Sequence, residues 1–330
     1  MSTVLGSLRR LVLSPSLADV SFAGRGFAVR PTEATRALEA IPQAVICGFE
    51  WGIDLAGLTD LRQRLDMVDA GLRGFAYEGA TMALTVRDAM AGGRGRRAQE
   101  LLRGPGRPHT FLTYIGIGFA MARLPRPLWR GVLPDLTGTP YYPTMSWLAV
   151  DGYGFDRAYF DTDKVVTRQQ RLAPYPWQGH PGYFARAVDQ GVGRALWFIH
   201  GGVPADVSAA LRAFAADRHA DLWSGVGLAA TFAGGCDETG LRSLADDAGD
   251  LWPHLAQGAV FAAKARDFSG FVAEHTGPAL HALTGLSVPA ASALADDISL
   301  TRPDMAGQPD YESWRQQVRD HLSARTGSRR

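Results

Sequence analysis

The chain has 330 residues, 46% of them hydrophobic and 20% charged, and its 34 Lys and Arg against 33 Asp and Glu leave a net charge of +1. A balance so close to zero provides no general field for nucleic acid or an anionic membrane, while 8 Trp and 15 Phe supply ample apolar surface for a large core. Cys47 and Cys236 are the only cysteines, which argues against a disulfide framework or a cysteine zinc site and for a reducing cytoplasm.

In chain order, the start MSTVLGSLRRLVLSPSL lacks the ordered regions of a secretory signal, and Leu5 to Leu13 is expected to dock as a short helix on the protein's own core. From Leu58 to Leu72, the apolar residues Leu61, Leu65, Val68 and Leu72 recur at steps of three and four, which predicts an amphipathic helix. The longest apolar run, Phe111 to Ala122, is too short for a membrane span. The Pro-rich span from Pro125 to Pro143 reads as a linker. Val207, Leu211 and Phe214 predict another helix, with Asp206 as its N-cap after Pro204. Period-two alternation is rare, so the expected fold is mainly α with little sheet.

Three landmarks occur twice in the same order, which suggests an internal duplication with a period of roughly 110 residues. The first set is Cys47-Gly48-Phe49-Glu50-Trp51-Gly52, Tyr77-Glu78-Gly79 and Gly116-Ile117-Gly118; the second is Asp151-Gly152-Tyr153-Gly154, Asp189-Gln190-Gly191 and Gly225-Val226-Gly227. A partial third copy follows at Ala256-Gln257-Gly258. The expected organisation is therefore a helical half over 1–125, a linker over 126–146, a second half over 147–315 that includes the partial repeat, and a flexible tail over 316–330. Two pseudo-equivalent halves result. Glycine inside a helix costs about 1 kcal/mol against alanine, a loss that close helix approach offsets, so Gly116, Gly118, Gly225 and Gly227 read as packing glycines.

Glu78, Gln190 and Gln257 stand beside glycines in apolar stretches, where a buried polar group needs a partner or a cavity. They are candidate linings for a ligand cavity between the halves, with Glu78 as an acid or base and with Asp189 and Lys264 as an ion pair or cavity charges. Tyr153, Phe160, Trp197 and Trp223 are candidate aromatic walls. Asp161 and Asp163, at i and i+2, are candidate catalytic carboxylates that could protonate an alkene or hold a divalent cation. Asp246-Asp247-Ala248-Gly249-Asp250 matches an aspartate-rich DDxxD string, whose carboxylates would bind Mg²⁺ and diphosphate. The 8 His show no ligand spacing, and no nucleotide-binding motif is present.

Longer strings carry a resemblance. Ser14 to Phe22, Arg73-Gly74-Phe75-Ala76-Tyr77-Glu78-Gly79-Ala80, Asp189-Gln190-Gly191-Val192-Gly193-Arg194-Ala195-Leu196-Trp197-Phe198, Asp221-Leu222-Trp223-Ser224-Gly225-Val226-Gly227 and His254 to Arg266 look like the enediyne biosynthesis protein UnbL family. The similarity runs from about Leu8 to Trp314. It implies an accessory protein encoded beside the iterative polyketide synthases that make enediyne cores, with no catalytic residues to carry over and no required cofactor. The implied ligand is an apolar polyene, and a pathway enzyme is the implied protein partner. Asp161-Thr162-Asp163 departs from the enediyne members and suits an isoprenoid, which makes a Mg²⁺-dependent terpene cyclase the alternative. A non-catalytic chaperone or scaffold is the third reading.

Overall fold

The computed structural model describes residues 16–55, 57–92, 95–298 and 307–327. Among them the fold is helical and no strand occurs. The expected docking helix Leu5 to Leu13 lies outside the described residues. The chain divides into two compact units, the first comprising residues 16–27 and 39–153 among those described, and the second 28–38 and 154–327.

In the first unit, α1 (Leu17–Val20) is closed by a capping box in which Ser16 and Asp19 bond each other's backbone N–H. Next come α2 (Glu33–Asp54, in this unit from Glu39), α3 (Leu58–Asp66), α4 (Ala70–Met90), α5 (Arg97–Arg103), α6 (Thr110–Arg123) and the first half of α7 (Trp147–Phe160). The single helix predicted from Leu58 to Leu72 is two helices, because Asp69 turns extended and its carboxylate accepts the Gly71 N–H to start α4. No helix of the described residues is long and apolar enough to cross a membrane.

The packing glycines set the helix spacing. A Cβ on Gly116 would lie 2.1 Å from the Glu78 carbonyl oxygen of α4, and one on Gly118 would lie 2.0 Å from the Ala149 carbonyl oxygen of α7. Residues two apart on a helix point in nearly opposite directions, since each step turns about 100°. Gly-x-Gly therefore brings α6 into backbone contact with a neighbour on either side.

The expected linker 126–146 is instead part of the first unit. Trp129, Val132, Leu136 and Met145 are buried, and the Trp129 indole N–H donates to the carbonyls of Met121 (3.0 Å) and Leu124 (3.1 Å). Its prolines break regular helix, but these four apolar side chains belong to the core. The boundary between the units falls at Tyr153 and Gly154, inside α7.

The second unit contains α8 (Phe184–Ile199), α9 (Pro204–Arg212), α10 (Ala216–Ala233), α11 (Glu238–Ala248), α12 (Trp252–Phe268), α13 (Thr276–Thr284), α14 (Val288–Asp297) and α15 (Asp310–Gly327). Here α10 is the central helix: a Cβ on Gly225 would meet the Gln190 carbonyl oxygen of α8 at 1.9 Å, and one on Gly227 would meet the Leu255 carbonyl oxygen of α12 at 1.9 Å. The helix predicted around Val207 is α9, with Val207, Leu211 and Phe214 buried; its N-cap is Val203 rather than Asp206, because Pro204 takes the first helical position. The expected flexible tail 316–330 is, as far as Gly327, the continuation of α15, and Val318, Arg319 and Leu322 are buried.

Candidate functional site

The aspartate-rich strings do not assemble. Asp161, at the end of α7, pairs with Arg157, one helical turn earlier, and Asp163 pairs with Arg168 at 2.7 Å on an exposed π-helical turn. Each carboxylate thus has its own guanidinium. Asp246 and Asp250 are exposed and Asp247 faces Arg212 at 3.4 Å. Among the described residues no group of three His, Cys, Asp or Glu is placed to hold a metal ion. The reason for Asp250 is local: Gly249, at φ 51°, ends α11 and turns the chain off the helix face that carries Asp246 and Asp247.

Of the predicted aromatic walls, Tyr153, Trp197 and Trp223 are core, and Phe160 is half-buried. Tyr153 meets Trp129 edge-on at 4.9 Å, Phe160 meets Tyr159 at 5.3 Å, and the fully buried Trp197 donates its indole N–H to the Gly234 carbonyl at 2.8 Å. Trp223 is buried in α10 and Glu78 in α4. Asp189 and Lys264 do not pair with each other. Asp189 is held by Arg218 at 2.6 Å, with burial raising its pKa against that guanidinium; Lys264 reaches Asp296 at 2.6 Å and Ser292 at 3.2 Å.

Gln190 and Gln257 are different, because they border a buried polar network that joins α8, α10, α12 and α15 within the second unit. At its centre, Glu312 accepts from Tyr183 Oη (2.7 Å) and Arg315 Nη1 (2.7 Å) on one oxygen, and from Arg186 Nη2 (2.9 Å) and Arg319 Nη2 (2.6 Å) on the other. Asp221 accepts from Arg186 Nε at 2.8 Å and lies 2.9 Å from Arg315 Nη1. Gln257 Oε1 accepts from Ser224 Oγ (3.0 Å) and Arg315 Nε (3.1 Å), while Gln190 Nε2 donates to Tyr311 Oη at 2.9 Å. Tyr183, Tyr311, Phe261 and Trp314 form an aromatic surround, with ring pairs at 6.3 and 5.4 Å.

The electrostatics follow from composition and burial. Three guanidinium groups face two carboxylates, so the network carries one net positive charge. Burial would raise the Glu312 pKa, but Arg315, Arg319 and Arg186 hold the carboxyl well below the usual carboxylate range. Burial lowers the His254 pKa to about 4, with help from the Arg319 and Arg315 charges, so this imidazole is neutral. Tyr183, pushed well above its ordinary value by burial, stays protonated.

Four buried nitrogens at this network have no hydrogen-bond partner among the described residues: Arg315 Nη2, Arg319 Nη1, Gln257 Nε2 and His254 Nδ1. Turning the Gln257 amide over gives no relief, since its oxygen is already fixed by Arg315 Nε, which can only donate. His254 and Gln257 share a face of α12 at i and i+3; Arg315 and Arg319 share a face of α15 at i and i+4. Each unsatisfied buried donor costs about 1–3 kcal/mol.

Sequence reasoning singled out Gln190 and Gln257 but missed Tyr183, Arg186, Asp221, His254, Glu312, Arg315 and Arg319. A signal for the last three was present, because Glu312, Arg315 and Arg319 at i, i+3 and i+7 make a charged stripe along one helical face.

Neither a curated protein nor a solved structure matches the chain. Its family membership rests on a match covering residues 4–322, which includes every residue of the network. The chain belongs to the DUF1702 family, described as proteins of unknown function.

Proposed function

We propose that this protein is an accessory protein of bacterial natural-product biosynthesis that binds a largely apolar polyene of its pathway, and that the second unit's polar network is where the polar end of that molecule is held. The carrying observation is the set of four buried nitrogens without partners inside a network of net positive charge and aromatic surround. The resemblance of the long strings to the UnbL family supports the pathway context. Binding, rather than proton transfer, is the chemistry the side chains favour: the carboxylates of the network are engaged by arginines, and its tyrosine and histidine are held in their neutral forms. Arg315 is fully buried, so the network is screened from solvent.

The test is titration of the purified full chain with retinol, a polyene of isoprenoid origin, followed by quenching of tryptophan fluorescence. Saturable quenching at equimolar protein supports the reading, and the absence of saturable binding by both retinol and its acid counterpart overturns it.

A further inference from the structure

We infer that the group received by this network is a carboxylate, held by Arg315 Nη2, Arg319 Nη1 and Gln257 Nε2. The inference rests on the reading of the network as a binding site and specifies the head group that the site takes.

Charge and geometry both select the ligand class. Arg186, Arg315 and Arg319 against Asp221 and Glu312 leave a single positive charge, which one monoanion neutralises. A phosphate dianion would overshoot by one charge, and a neutral carbonyl would leave the cation uncompensated at a site where Arg315 is 0% and Arg319 4% exposed. The Nε and Nη2 nitrogens of an arginine lie on one edge and together match the two oxygens of a carboxylate. In Arg315 the Nε of that edge is bound by the Gln257 amide oxygen, while Nη2 has no partner and the nitrogen of that same amide, which also only donates, has none either. Each of these donors calls for an acceptor. Arg319 Nη1 adds a third donor from one turn further along α15, and a carboxylate, with two oxygens and about four lone-pair sites, accommodates all three.

The same chemistry could come from a small free acid or from the acid end of an apolar molecule. Four probes separate these sources when added to the purified full chain: acetate, inorganic phosphate, retinol and retinoate, with binding read by calorimetry and by melting temperature. The inference expects retinoate to bind at least tenfold more tightly than retinol, and acetate to raise the melting temperature more than phosphate does. A Gln257→Glu variant is isosteric and supplies the missing carboxylate oxygen from within, so it should melt above wild type and lose the preference for retinoate. Equal binding of retinol and retinoate overturns the carboxylate inference while leaving the polyene reading intact. Stabilisation by acetate without binding of either retinoid supports the inference and overturns the polyene reading. Preference for phosphate over acetate, or a Gln257→Glu variant that melts lower and keeps the retinoate preference, overturns the inference.

Discussion

Replacing Gly225 by alanine tests the central packing argument most directly. The new Cβ would sit 1.9 Å from the Gln190 carbonyl oxygen and 2.7 Å from the Arg194 backbone nitrogen, whereas ordinary van der Waals contact begins at 3.4 Å. The obstacles are backbone atoms of α8, so no side-chain rotation relieves them, and α8 and α10 must separate by roughly 1.5 Å at this point. Alanine gains up to about 1 kcal/mol in helix propensity, but overpacking costs about 1–3 kcal/mol and the opened interface adds cavity. The expected net loss is about 2 kcal/mol or more, seen as a melting temperature lower by several degrees in thermal circular dichroism. Gly277, in the first turn of α13, is the control: a Cβ there has nothing within 4 Å, so Gly277→Ala should be neutral or stabilising by up to about 1 kcal/mol. A Gly225→Ala protein as stable as wild type would refute the argument that these glycines exist for backbone approach.

Other predictions concern the network. Glu312→Gln leaves Arg186, Arg315 and Arg319 facing Asp221 alone and should destabilise the chain by about 3–5 kcal/mol in urea denaturation. His254 titrates near 4 in the folded chain and near its ordinary value of about 6.5 when unfolded, so the unfolded state gains the proton first as pH falls. Stability should therefore decline from about pH 6.5 to about pH 4, by up to about 3 kcal/mol from this residue, and level off below. His254→Gln should remove that slope from the melting temperature against pH, and an unchanged slope would contradict the assignment. Asp161→Asn and Asp163→Asn should each shift stability by less than about 0.5 kcal/mol and leave retinoid binding unaltered, since each carboxylate belongs to a local, partly exposed pair.

Much of the local structure was legible in the sequence because its physics is local. Apolar periodicity located α9, the scarcity of alternation excluded a large sheet, and glycines embedded in apolar helical strings announced close packing before any neighbour was known. Where a local signal competed with another, the reading slipped: the period from Leu58 to Leu72 ran through Asp69, whose carboxylate starts a new helix, and the prolines of 126–146 concealed a segment held by the buried Trp129. The candidate site was largely beyond reach for a different reason. Arg186, Asp221, Gln257, Glu312 and Arg315 are separated by as many as 129 positions, and nothing in their individual surroundings marks them as partners. Their selection depends on α15 packing on α12 and reaching α8 and α10 through the Arg186–Glu312 and Arg315–Asp221 pairs, which puts a charged stripe at the buried centre of a network. Helix formation is decided over a few residues, whereas the burial that turns a surface arginine into a site is decided by which helices touch.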